Sequence, residues 1–188
     1  MNNFWMDEAE QNFLLDYIEN NNVKSMLEWG SGDSTLTLQN KVERLTSVEH
    51  HLGWYNKLKP QLNENVEYIY APPNNPDWEK QYNETGQKNA AGDDGTFTDF
   101  ATYVHAPLRN APLEGYDLIF VDGRARAACA FASQFFIRDY SNSRIFIHDF
   151  GPEARHPSLG HRTYYDIVLE WLELDKQVKT MACFKVKT

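Results

Sequence analysis

Residues 25–35 read Ser25-Met26-Leu27-Glu28-Trp29-Gly30-Ser31-Gly32-Asp33-Ser34-Thr35, and this stretch decides the fold. Ser25–Trp29 is a short, largely apolar run that stops at a glycine, which is how a buried strand reads. Gly30 and Gly32 allow a tight turn and let a ligand approach the backbone closely. A short helix is expected to begin at once, over Ser34–Asn40. Strand, glycine turn and helix in direct succession open an α/β unit with a parallel sheet.

The rest of the chain repeats the alternation. Upstream, Asp7–Glu19 carries Phe13, Leu14, Tyr17 and Ile18 at helical spacing behind a plausible N-cap at Asp7. Downstream, Leu45–Glu49 reads as a second strand and Leu52–Leu62 as a helix, with Pro60 placed to end it early. Val66–Tyr70 is a third strand. From Pro72 to Gly95 the periodicity breaks into Pro, Gly, Asn and Asp, and the span 72–97 is expected to be a lid or binding loop. Phe97–Leu108 reads as helical, Tyr116–Val121 as a strand, Ala125–Ile137 as a helix and Arg144–Ile147 as a strand. A helix over Thr163–Leu174 is expected next, then final strands at Val178 and Met181–Val186 close enough to form an antiparallel hairpin. The expected fold is a Rossmann-like, doubly wound α/β sheet, mostly parallel, with an antiparallel C-terminal strand, in a single domain spanning 1–188.

Composition narrows the function. A chain of 188 residues, 41% hydrophobic, supports one substantial core rather than two. Asp and Glu outnumber Lys and Arg by 27 to 18, for a net charge of −9, and no basic stripe is visible. Phosphate neutralisation supplies most nucleic-acid affinity, so no nucleic-acid partner is expected and a small-molecule acceptor is favoured. The aromatics Trp78 and Tyr82 lie in an acidic loop, which is not a base-reading context. Cys129 and Cys183 match neither a zinc pattern nor a disulfide framework and read as buried structural thiols. Met1–Glu10 lacks a basic region followed by an apolar run, and no stretch approaches the ~20 apolar residues of a membrane span. A cytoplasmic location, no membrane partner and an open question of homo-oligomerisation follow as expectations.

In sheets of this kind ligands bind beyond the carboxyl ends of the strands, where strand order reverses. Glu28 ends the first strand, where dinucleotide-binding proteins carry an apolar residue, and their third glycine is absent here. A carboxylate at that position suits a ligand with a cationic group and is poorly suited to a pyrophosphate. Glu49 ends the second strand roughly twenty residues after the turn, the spacing of an acid that accepts from ribose hydroxyls. Taken alone it reads equally as a solvated carboxylate near a helix start; Glu28 and the two glycines favour the ribose role. Val121-Asp122-Gly123-Arg124 and Ile147-His148-Asp149-Phe150 end the fourth and fifth strands over the same crevice.

These segments carry a resemblance. Residues 26–36 (MLEWGSGDSTL) and 45–58 (LTSVEHHLGWYNKL) resemble the first two motifs of class I S-adenosylmethionine-dependent methyltransferases. Residues 116–133 (YDLIFVDGRARAACAFAS) and 144–150 (RIFIHDF) look like the fourth and fifth strands of small-molecule O-methyltransferase-like members. The resemblance covers Met26–Leu58 and Tyr116–Phe150 and implies S-adenosylmethionine as cofactor. It places Glu28, Gly30 and Gly32 along the methionine end and Glu49 on the ribose, with Ser31, Ser34 and Asp122 also binding the cofactor. Asp93, Asp94, Phe97 and Asp99 are candidates for the adenine pocket.

One subset of that family holds a divalent cation through acids ending the fourth and fifth strands, the latter followed by Asn. Asp122 and Asp149 match and with water could hold a divalent cation, but Phe150 stands where that Asn would be, which counts against the site, and no residue is assigned as a metal ligand. An oxygen acceptor needs its proton removed, and Asp122, His148 and Asp149 are the candidate bases. Arg124 and Arg126 read either as anchors for an anionic acceptor or as surface residues at a helix start. His156 and His161 lie in a loop near the site. Methyl transfer is the expected activity. The rivals are a non-catalytic S-adenosylmethionine-binding protein, which would not need the acids Asp122 and Asp149, and an NAD-dependent oxidoreductase, which Glu28 argues against.

Overall fold

The alternation seen in the sequence becomes one seven-stranded sheet in the computed structural model, which describes residues 6–78, 94–151, 155–156, 160–161 and 163–188. In chain order the elements begin with α1 (Glu8–Asn20), β1 (Ser25–Trp29), α2 (Asp33–Leu38), β2 (Arg44–Glu49), α3 (Leu52–Leu58) and β3 (Val66–Tyr70). They continue with α4 (Phe97–His105), β4 (Leu118–Val121), α5 (Arg126–Ser133) and β5 (Arg144–Ile147). Two short strands, β6 (Arg155–His156) and β7 (Gly160–His161), pair with each other apart from the main sheet. The chain closes with β8 (Leu172–Val178) and β9 (Met181–Val186).

The strand order is β3-β2-β1-β4-β5-β9-β8. The first five strands are parallel, and β9 and β8 run antiparallel to their neighbours. This is the expected mostly parallel, doubly wound sheet with an antiparallel end. Every residue of β1 and β4 is buried, as central parallel strands covered on both faces must be. One core packs Leu27, Trp29, Ile119, Val121 and Ile147 beneath α4 and α5; the other packs Met26, Leu45, Phe120 and Phe146 beneath α1.

Local chemistry explains the helix ends. Asp7 caps α1 by accepting from Ala9 N at 2.9 Å, while Glu10 reaches back to Asp7 N at 2.9 Å. Leu14 and Ile18 then face the sheet, with the rings of Phe13 and Tyr17 each 5.2 Å from that of Phe146. Pro60 does end the regular helix: α3 stops at Leu58 and gives way to a 3-10 turn over Lys59–Gln61.

Two expectations need correction. The helix expected over Ala125–Ile137 stops at Ser133, because Ile137 pairs instead with Tyr116, which lies outside β4 as an isolated bridge. The helix expected over Thr163–Leu174 is a 3-10 segment over Thr163–Glu170, and Leu172 and Leu174 belong to β8. Leu, Glu and Lys favour helix locally, but pairing with β9 satisfies the backbone and buries Leu172 completely. Of the span 72–97 expected as a lid or binding loop, residues 79–93 lie outside the described residues, and so do Tyr82 and Asp93. Among the described residues no helix is long and apolar enough to cross a membrane.

Candidate active site

Strand order reverses between β1 and β4, and a cavity of about 340 Å³ opens there beyond the strand ends. Gly30, Ser31, Gly32 and Ser34 line it from the β1 turn, Glu49 from the end of β2, and Asp122, His148 and Asp149 from β4 and β5. Eight of the sequence-selected positions thus meet in one place although they span more than a hundred residues of chain.

Packing makes this turn obligatory. Gly30 has φ +98°, and a Cβ there would sit 2.4 Å from Gly123 Cα. Gly123 is equally constrained, since its Cβ would meet the Tyr103 hydroxyl at 2.0 Å. The two strand-end turns therefore touch backbone to backbone, which only glycine permits. Gly32 is different: a Cβ there would meet only Ser34 Oγ, at 3.8 Å.

Glu28 does not face the cavity. Its carboxylate is fully buried behind the turn and accepts from Ser34 Oγ at 3.0 Å, Thr35 Oγ1 at 2.7 Å and Ser47 Oγ at 2.6 Å. Burial pushes its pKa up to about 7 against the pull of those three hydroxyls. The side chain expected at a cationic ligand group instead ties α2 to β1 and β2. Glu49 does line the cavity. It accepts from Ser31 N at 3.1 Å, Ser31 Oγ at 2.7 Å and His51 N at 2.6 Å, which fixes the turn relative to β2. Burial opposes its charge, but His50 and the hydrogen bonds from Ser31 and His51 outweigh that and hold its carboxyl below the usual range.

On the other side lies a charged network that sequence reasoning only half saw. His148 Nδ1 is 2.8 Å from Asp122 Oδ1, and its Nε2 is 3.4 Å from Glu10 Oε2. A ring with carboxylates at both nitrogens serves as a donor from each, and both donate only in the cation. Burial opposes that charge, but the Asp122 carboxylate and the two contacts prevail, raising the pKa to about 10. His148 is thus engaged by a carboxylate at each ring nitrogen, Asp122 on one side and Glu10 on the other.

Arg126 is no surface residue. It is 4% exposed, donates through Nη1 to Asp149 Oδ2 at 2.6 Å and to the His148 carbonyl at 3.2 Å, and through Nε to the Gly123 carbonyl at 3.1 Å. Nη2 lies 3.5 Å from Asp122 Oδ1. Asp94 accepts from Arg126 N at 2.7 Å, while its carbonyl accepts from Ala125 N at 2.7 Å. Ala125 and Asp149 adopt left-handed φ of +49° and +58°, a cost of order 1 kcal/mol or more that surrounding contacts must offset.

Of the adenine-pocket candidates, Asp94 is bound to Arg126, Asp99 completes the capping box of α4 by accepting from Thr96 N at 2.9 Å, and Phe97 lines a separate apolar groove between α4 and α5. For His156 and His161 only the backbone is described. Sequence reasoning missed Met6, His50 and Trp54 on the cavity wall and Glu10 behind it. His50 follows a strand-ending acid, and that position was a signal. Glu10 gave none, because only the docking of α1 brings it to His148. Cys129 and Cys183 are buried and free, as expected.

No protein-family model matches the chain, and no curated protein matches it either. Solved structures do. A candidate caffeoyl-CoA O-methyltransferase from Staphylococcus aureus is 13% identical, with a TM-score of 0.58 over 97% of this chain and 85% of that one. The N-methyltransferase NodS of Bradyrhizobium japonicum, in complex with S-adenosyl-L-homocysteine, is 15% identical, with a TM-score of 0.55 over 96% and 88%. The Bacillus subtilis tRNA methyltransferase TrmK is 11% identical, with a TM-score of 0.50 over 98% and 68%. By their printed names these three proteins are methyltransferases of different kinds. The chain has the fold of the class I S-adenosylmethionine-dependent methyltransferases.

Proposed function

We propose that this protein binds S-adenosylmethionine in the β1–β4 crevice and transfers its methyl group to a small-molecule acceptor, at oxygen. The observation that carries the reading is the convergence of the glycine turn, Glu49 and the Asp122–Asp149 pair on one cavity of about 340 Å³, a size suited to a small molecule. The fit is favourable: the open face of Gly32 leaves backbone accessible, and Glu49 is a buried carboxylate at the cavity wall. Gly30, Ser31, Gly32 and Ser34 would hold the methionine end and Glu49 the ribose.

The cofactor supplies an electrophilic methyl on a sulfonium, which leaves with the C–S bonding pair as a neutral thioether. The protein's tasks are alignment, exclusion of water and removal of the acceptor proton. Asp149 is the better placed base, with its side chain 33% exposed at the crevice against 17% for Asp122. Arg126 fixes Asp149 from behind, and the His148 cation fixes Asp122, so both carboxylates meet the acceptor already oriented.

Calorimetric titration with S-adenosylmethionine and S-adenosylhomocysteine tests the reading, with NAD as control and Glu49→Ala as the variant. Micromolar binding of both sulfur ligands, weakened at least about tenfold in the variant, is expected, a loss of about 1.4 kcal/mol. Folded protein that binds neither ligand would remove the proposal. Binding without turnover across a broad acceptor screen would leave a non-catalytic binding protein.

A further inference from the structure

Three potential metal-ligating atoms, from Asp122, His148 and Asp149, lie within 4.8 Å of one another beside the cavity. The residues around them do not suit a divalent ion. A hard cation takes about six oxygen ligands. Here the next residue along, Phe150, turns its ring onto Phe184, with centroids 5.0 Å apart, and contributes no oxygen from its side chain. Both ring nitrogens of His148 are already engaged, Nδ1 by Asp122 at 2.8 Å and Nε2 by Glu10 at 3.4 Å. The Arg126 guanidinium already bridges the two acids, 2.6 Å from Asp149 and 3.5 Å from Asp122.

We propose that Arg126 is a built-in cation that fills the metal position of this cluster, so that the site orients its two carboxylates without a divalent ion. Five described acceptors fix the guanidinium, namely the Asp122 and Asp149 carboxylates and the carbonyls of Asp122, Gly123 and His148. The left-handed backbone of Asp149 is the local signature of this arrangement, since it turns the carboxylate back toward Arg126. Arg126 acts as a positioning residue, through Asp149 and Asp122.

Manganese titration followed by electron paramagnetic resonance tests this with no methyl transfer involved, so it can fail while the proposed function stands. In the wild type the free-ion signal is expected to persist up to roughly millimolar Mn²⁺, weaker than sites built to hold such ions. In Arg126→Ala the emptied cluster should bind Mn²⁺ at least about tenfold more tightly, and Asp149→Asn in that background should abolish the gain. If Arg126→Ala does not fold, Arg126→Lys serves: a point charge cannot fork to both acids, so partial Mn²⁺ binding is expected. Saturable micromolar Mn²⁺ binding by the wild type, weakened by Asp149→Asn, would overturn the proposal. Equal Mn²⁺ binding in the wild type and whichever Arg126 variant folds would overturn it too.

Discussion

Replacing Glu10 with alanine should be strongly destabilising, although Glu10 sits on a helix remote in sequence from β4 and β5. Its carboxylate accepts from Thr180 N at 2.8 Å, Thr180 Oγ1 at 2.6 Å and Asp7 N at 2.9 Å, and faces His148 Nε2 at 3.4 Å. Removing it leaves a buried imidazolium short of one counter-charge, which typically costs about 3–5 kcal/mol. At this chain length each kcal/mol lowers Tm by about 2–4 °C, so a fall of roughly 6–12 °C is the conservative expectation. Urea denaturation at pH 7 measures the loss, and a destabilisation below about 1 kcal/mol would refute the account of the network.

The same variant has a pH signature. The folded-state pKa of His148 is raised from 6.5 to about 10, so its contribution is fully present below pH 6.5 and lost as pH rises through 10. The folded-state pKa of Glu10 is lowered from 4.5 to about 2, its bonds to His148 and Thr180 outweighing burial. That contribution is present above pH 4.5 and lost as pH falls toward 2. Between pH 7 and pH 9 the wild type should therefore lose up to about 2.7 kcal/mol through His148, at about 1.4 kcal/mol per pH unit. Glu10→Gln, which keeps a hydrogen-bonding side chain but not the charge, should show a shallower alkaline slope. An unchanged slope would show that Glu10 does not support the His148 cation.

Gly30→Ala should destabilise by more than about 2 kcal/mol and abolish cofactor-analogue binding, because its Cβ would lie 2.4 Å from Gly123 Cα at φ +98°. Gly32→Ala, with only Ser34 Oγ at 3.8 Å, should fold normally, so equal melting temperatures for the two variants would contradict the packing. For Glu28 the folded pKa of about 7 lies above its unperturbed 4.5. This term is fully present below pH 4.5 and fades as pH rises through 7; Glu28→Gln should remove that slope in denaturation series at several pH values. Cys129 and Cys183, both buried with raised pKa, should resist a thiol reagent in the native state and react once urea unfolds the chain.

Much of this protein was legible in residues 25–35 and their repeats. Apolar runs bounded by glycine and acid specify buried parallel strands, because the interior strands β1, β2, β4 and β5 bury such runs on both faces. The positions of Gly30, Glu49, Asp122 and Asp149 at strand ends followed from the same alternation, since strand ends in such a sheet converge on one edge. Side-chain direction did not follow from it. Glu28 ends its strand as the sequence suggests, yet points into the hydroxyls of Ser34, Thr35 and Ser47 rather than the cavity. The start of the edge strand β8, residues 172–174, was hidden because its local helix preference loses to pairing with β9, a contact between chain segments. The electrostatics of the site were hidden for the same reason. Whether His148 is a base or a cation, and whether Arg126 is solvent-exposed or the hub of two carboxylates, depends on the desolvation and opposite charges around each group. Glu10, Asp122, Arg126, His148 and Asp149 come from four separate elements, and only their tertiary packing sets those charges.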